Sequence, residues 1–179
     1  MRGNIGQVEP GQRFHRRLRV IVGRPADQRE ARQVDDRIDR RLPVLHEEFF
    51  DRSGRVCVIG AGSSGLAAAR NFRGLGFEVE ILEACPDLGG NWNYESPAAR
   101  VYRSTHTISS KPGTEYPDYP MPASYPDYPH HEEVLAYLRG YAENFGLTPI
   151  IEYETEVARV EPSDVAGPTG EPCWDVRLA

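Results

Sequence analysis

The run Val56-Cys57-Val58-Ile59-Gly60-Ala61-Gly62-Ser63-Ser64-Gly65-Leu66-Ala67-Ala68-Ala69 constrains the fold more than any other part of this chain. Its apolar start predicts a buried strand, its glycines a turn, and the alanine-rich stretch from about Leu66 to Leu75, closing at Gly76, a helix. Each glycine has a distinct job. Gly60 permits the tight turn, Gly62 lets the backbone approach a pyrophosphate with no Cβ in the way, and Gly65 lets the helix pack close to the strand. The helix N-terminal amides then face the phosphates, so Gly60, Ala61, Gly62, Ser63, Ser64 and Gly65 form a candidate nucleotide-binding turn. Glycine-rich turns arise by chance, but here a strand precedes the turn and a helix follows it, as a βαβ unit requires.

A second apolar strand follows, Val79-Glu80-Ile81-Leu82-Glu83. Glu83 ends it 18 positions past Gly65, where an acidic residue can accept hydrogen bonds from both ribose hydroxyls of an adenosine. A strand simply ending in solvent would look similar; the spacing from the glycine turn favours the ribose role. A carboxylate there repels a 2′-phosphate, so the first nucleotide is expected to be FAD or NAD rather than NADP. Gly89-Gly90-Asn91-Trp92 turns the choice toward FAD. The paired glycine brings more bare backbone to a cofactor, and Trp92 offers a flat apolar surface, so Gly90, Asn91 and Trp92 join the candidate site.

From VCVIGAGSSGLAAA through LEACPDLGGNW the chain resembles the FAD-binding end of the flavin-containing monooxygenases. The resemblance continues through Val101-Tyr102-Arg103-Ser104, Ser109-Ser110-Lys111, Asp118-Tyr119-Pro120-Met121-Pro122, the helix from Glu132 to Leu138 and the Cys173-Trp174-Asp175-Val176 strand. It covers about residues 55 to 179, in order and with family spacing. The fold it implies is α/β: a Rossmann-like FAD-binding βαβ unit with a parallel sheet and a β-meander, incomplete at the C-terminus. Ile150 to Tyr153, Glu156 to Val160 and Cys173 to Leu178 read as the short strands of that meander, with Pro162, Gly167, Pro168 and Gly170 marking the turn between the last two. The family reduces FAD with NADPH and then uses oxygen at the flavin to oxidise a soft nitrogen or sulfur atom, or a ketone. The cofactor carries the hard step, so no catalytic triad is expected and no catalytic residue is assigned.

Two departures from the family stand out. Many members carry an Asn beside the flavin, two residues before the serine of a Ser-Lys pair; here that position is Ile108, next to Ser109. An isoleucine makes none of an amide's hydrogen bonds. Ile108 and Ser109 are therefore kept as cofactor-site candidates, with leakage of hydrogen peroxide as the expected consequence. The chain also stops at Ala179 with no second GxGxxG for NADPH and no strand to complete the sheet, leaving an exposed edge. An N-terminal piece of a monooxygenase is the expectation, with a C-terminal half as its missing partner. Alone it should bind FAD weakly at best and turn over no NADPH. A fragment of a Baeyer–Villiger-type relative and a non-catalytic FAD-binding remnant stay open as alternatives.

Composition divides the chain. Residues 1–54 hold 12 Arg against 9 acids, while residues 55–179 hold 9 basic residues against 18 acids. The acidic body argues against nucleic acid as a partner. Residues 1–54 read as an Arg-rich extension expected to be poorly ordered, with a polar helix from Arg24 to Leu42 and a short one from Leu45 to Phe50. Residues 55–179 read as a partial FAD/NAD(P)-binding domain. Three cysteines without a CxxC pair suit a reducing cytoplasm, and no apolar run approaches the ~20 residues that span a bilayer. Residues 93–130 repeat Tyr-Pro-Asp-Tyr-Pro and predict an ordered loop, with a polyproline-type ligand as the lesser reading. His130-His131-Glu132-Glu133 lacks the His i, i+4 spacing of a zinc helix, so no metal is expected and a polar, acidic first helical turn is. That helix is expected from about His131 to Phe145, burying Val134, Leu135, Leu138, Tyr141, Ala142 and Phe145, with Gly146 capping it. His106 and Lys111 fall in the loop that the resemblance places near the flavin, and the lone Lys111 is expected to be solvated.

Overall fold

The computed structural model describes residues 15–18, 55–97, 99–166 and 173–179. The helices expected at 24–42 and 45–50 and the turn expected at Gly167, Pro168 and Gly170 lie outside those residues. In chain order the elements are β1 (His15–Leu18), β2 (Arg55–Ile59), α1 (Ser63–Gly74), β3 (Glu78–Leu82), a 3-10 turn (Gly90–Trp92), α2 (Lys111–Thr114) and α3 (His131–Asn144). A second 3-10 turn (Thr148–Ile150), β4 (Ile151–Glu152), β5 (Val157–Pro162) and β6 (Trp174–Leu178) complete them.

β2, β3 and β4 form a parallel sheet in that order, with Val56 opposite Val79 and Ile81 opposite Ile151. Val56, Cys57 and Val58 are buried in succession, because both faces of this sheet are covered. On one face, Val56, Val58, Val79 and Ile81 join Leu66 and Ala69 of α1 and Leu138 and Tyr141 of α3 in the main core. On the other, Cys57 and Leu82 pack against Val176 of β6. The period-2 alternation of side chains thus assigns one set of residues to the helices and the other to a second sheet. That second sheet is antiparallel, ordered β1-β6-β5.

Three boundaries differ from the sequence reading. The strand expected at 150–153 was grouped with the meander, but β4 pairs in parallel with β3; two residues carry no signal of which sheet will accept them. α1 begins at Ser63, not Leu66, because Gly62 is already the extended residue that caps the helix. Within the Arg-rich segment, β1 pairs with β6, setting His15 opposite Arg177 and Leu18 opposite Trp174.

The loop between the 3-10 turn and α3 is tied inward. Tyr116 and Tyr119 stack against Tyr137 and Tyr141 of α3, with ring centroids 4.4–5.8 Å apart. The first copy of the Tyr-Pro repeat therefore packs onto the core instead of being presented as a ligand. Tyr137, absent from the expected apolar face of α3, is 4% exposed for the same reason. Lys111 is not simply solvated: its Nζ donates to the carbonyls of Pro122 (3.2 Å), Ala123 (3.4 Å) and Tyr125 (3.0 Å), clasping the loop. α3 ends as expected, with Gly146 at φ +62° just beyond it.

Candidate functional site

A cavity of about 360 Å³ opens where β2 passes into α1. Ile59, Gly60, Gly62, Ser63, Ser64 and Gly65 form one wall; Gly89, Asn91 and Trp92 form the other. Gly60 turns the chain at φ +92° while its N–H donates to the Leu82 carbonyl at 2.8 Å. At Gly65 a Cβ would stand 1.9 Å from the Gly60 carbonyl oxygen, so no other residue fits the helix against its own turn. The two walls are joined by the Gly89 N–H, which donates to the Ala61 carbonyl at 3.0 Å. A Cβ on Gly90 would come within 3.2 Å of the Gly62 Cα, so bare backbone faces bare backbone across the cradle.

α1 has a glycine N-cap, no side-chain cap and no acidic residue in its first turn. Its leading amides point out of the helix with its positive end behind them, which is an arrangement for holding an anion. From beneath, Tyr116 donates its hydroxyl to the Ser63 carbonyl at 2.6 Å, bracing that first turn. Burial pushes the Tyr116 pKa well above the usual tyrosine range, and burial also pushes Tyr137 and Tyr141 up to about 12. All three phenols therefore stay protonated at neutral pH, and Tyr137, like Tyr116, donates its hydroxyl to a carbonyl, that of Tyr119.

Glu83 is 6% exposed and sits one residue past β3. Its Oε2 accepts from the Ala61 N–H at 2.6 Å and its Oε1 from the Cys85 N–H at 2.9 Å. The carboxylate thus ties the glycine turn to the segment after β3. Two carboxylate oxygens offer about four acceptor sites, so two amides leave capacity for ribose hydroxyls. Neither Glu83 nor the fully buried Ala61 lines the cavity; both stand behind its wall. Neutral amides and one acceptor-rich carboxylate fit a nucleotide diphosphate with an unphosphorylated ribose.

The other candidates fall apart from this cradle. Ile108 is fully exposed, and the Ser109 hydroxyl lies 2.8 Å from that of Thr114; neither lines the cavity. His106 donates from Nδ1 to the Tyr128 carbonyl oxygen at 3.1 Å and likewise stands outside. Sequence reasoning missed Ile59, Gly89 and Tyr116. Gly89 was visible as half of the glycine pair; nothing local marks Tyr116, whose partner is 53 residues away.

A parallel sheet, a glycine cradle at the strand end and an acid behind it define a dinucleotide-binding α/β unit. Residues 53–178 match the family described as Flavin-binding monooxygenase-like. The chain belongs to that family. It is 38% identical over 126 residues to Flavin-containing monooxygenase 1 of Sus scrofa, an alignment covering 68% of this chain and 23% of the relative. Among solved structures, a flavin-containing monooxygenase from Stenotrophomonas maltophilia shares 34% identity at a TM-score of 0.53, covering 66% of this chain and 34% of that one. An S-allyl-L-cysteine S-oxygenase from Allium sativum shares 27% at a TM-score of 0.58, covering 69% and 34%. The chain thus spans about a quarter of the length of the curated relatives it matches. Among the described residues no helix is long and apolar enough to cross a membrane.

Proposed function

We propose that this chain forms the FAD-binding portion of a flavin-dependent monooxygenase that consumes NADPH and oxygen to oxidise soft nitrogen or sulfur atoms, or ketones. The observation that carries the proposal is the cradle itself: Gly62 against Gly90, uncapped α1 amides, and Glu83 bonded to the Ala61 amide behind them. Gly60 to Gly65 would receive the pyrophosphate, Glu83 the adenosine ribose, and Gly90, Asn91 and Trp92 the remainder of the cofactor. When bound, FAD supplies the electron transfer and oxygen chemistry. The chain's own residues bind and orient it. NADPH would be held by parts of the relatives that this chain does not span. A cytoplasmic location is part of the same proposal, supported by cysteines without a CxxC pair.

Ile108 gives the proposal its sharpest consequence. Its side chain is fully exposed and has no hydrogen-bonding group, at the position where the family resemblance implies an amide. The test is a chimaera in which residues 53–178 replace the matching segment of the Stenotrophomonas maltophilia enzyme. It should hold FAD, oxidise NADPH and release much of the oxygen as hydrogen peroxide; Ile108→Asn should raise the yield of oxygenated thioether or amine. A chimaera that holds FAD but never oxidises NADPH would support the non-catalytic remnant instead.

A further inference from the structure

His131 opens α3 and is only 3% exposed, yet among the described residues neither of its ring nitrogens has a hydrogen-bond partner. Leaving a buried polar group unmatched forfeits its hydration with nothing in return, so such a group calls for a ligand. Its ring is held between those of Tyr94, 5.4 Å away, and His130, 4.1 Å away. His130 is arranged in a complementary way. Its Nε2 lies 2.8 Å from the Arg103 carbonyl oxygen, an acceptor only, so the proton sits on Nε2 and Nδ1 keeps its lone pair. That lone pair accepts one long capping hydrogen bond from the Glu132 N–H, 3.4 Å, which an ion bound there would replace, and it faces the Glu132 carboxylate oxygen at 3.6 Å. A backbone carbonyl fixing one histidine nitrogen while the other is presented is how proteins orient metal ligands.

We propose that His130, His131 and Glu132 bind a divalent transition-metal ion of the zinc type, each giving one ligand atom. The three atoms lie within 4.8 Å of one another. Two imidazoles and one carboxylate are a zinc donor set that leaves a fourth position for water. A cavity of about 360 Å³, separate from the nucleotide cradle and lined by Cys85, Asp87, Tyr94, His131, Glu132 and Arg139, gives the ion access. The positive end of α3 opposes a cation here, and the carboxylates of Glu132 and Glu133 in that first turn offset it. The i, i+4 rule overlooks this cluster because His130 precedes the helix, so its side chain is not bound to helical spacing.

The test is titration of the 179-residue chain with Zn²⁺ against a chromogenic chelator, and with Co²⁺ followed by visible absorption. One ion per chain is expected, with cobalt d–d bands and no thiolate-to-cobalt charge transfer. His131→Asn and Glu132→Gln should each weaken binding by at least about tenfold. Should the His131 variant fail to fold, Glu132→Gln still decides, since that side chain is 79% exposed and circular dichroism will report an intact fold. No saturable binding would overturn the proposal. Binding indifferent to Glu132→Gln, or a thiolate band implicating Cys85, would overturn it equally.

Discussion

Gly65 has the least freedom of any residue in the cradle. A methyl group there would lie 1.9 Å from the Gly60 carbonyl oxygen, and neither backbone can yield without moving the strand or the helix. Gly65→Ala is expected to cost about 3 kcal/mol and to remove FAD binding, read by thermal unfolding and by flavin fluorescence. Glu83 acts differently, through two amides it satisfies. Glu83→Ala strips the acceptor from buried N–H groups at about 1–3 kcal/mol each, so chemical denaturation should show a loss larger than the FAD-affinity change of Glu83→Gln. The packing role of Gly65 was legible in sequence, because glycine spacing fixes backbone geometry within a few residues; the place of the acid followed at a set distance, but its bonds to the Ala61 and Cys85 amides did not. His131 was not legible. Histidine reads as polar, and only the packing of Tyr94 and His130 about it makes it buried.

The elements divide by how far their partners lie along the chain. β2, α1 and β3 follow from local pattern, and the sequence reading found them within a few residues of their ends. β4 went to the wrong group and β1 was unforeseen, since strand pairing is decided by distant neighbours that leave no local mark. The loop before α3 shows the same limit. Its composition announced turns, but the Lys111 clasp and the Tyr116 brace are contacts between residues 11 to 53 apart. Tyr116→Phe should cost about 1 kcal/mol and weaken FAD binding modestly, because the brace holds the first turn of α1 from beneath. The tyrosine cluster also sets an alkaline limit. Burial raises Tyr137 and Tyr141 to about 12 in the folded chain, against about 10 when unfolded. The folded state holds more protons in that window, so stability is fully present below about pH 10 and falls as pH rises toward about 12. Denaturation midpoints across that range, with tyrosinate absorbance alongside, check it; midpoints flat in pH would contradict it.

At the scale of the whole molecule, a parallel sheet lies between helices on one face and an antiparallel sheet on the other, with the cradle at the strand ends where such folds bind nucleotides. In the proposed assignment Gly60 to Gly65 and Glu83 address the adenosine diphosphate half of the cofactor, and Ile108 and Ser109 stand apart from the cradle. ADP should therefore compete with FAD for the chain, and FMN should not. The decisive measurement is a titration of the purified 179-residue chain with FAD, followed by flavin fluorescence, beside the Gly65→Ala variant. The cradle predicts weak but saturable binding at one FAD per chain, displaced by ADP and absent in the variant. Binding that ADP leaves untouched, or that survives Gly65→Ala, would contradict the assignment of Gly60 to Gly65 as the flavin nucleotide's seat.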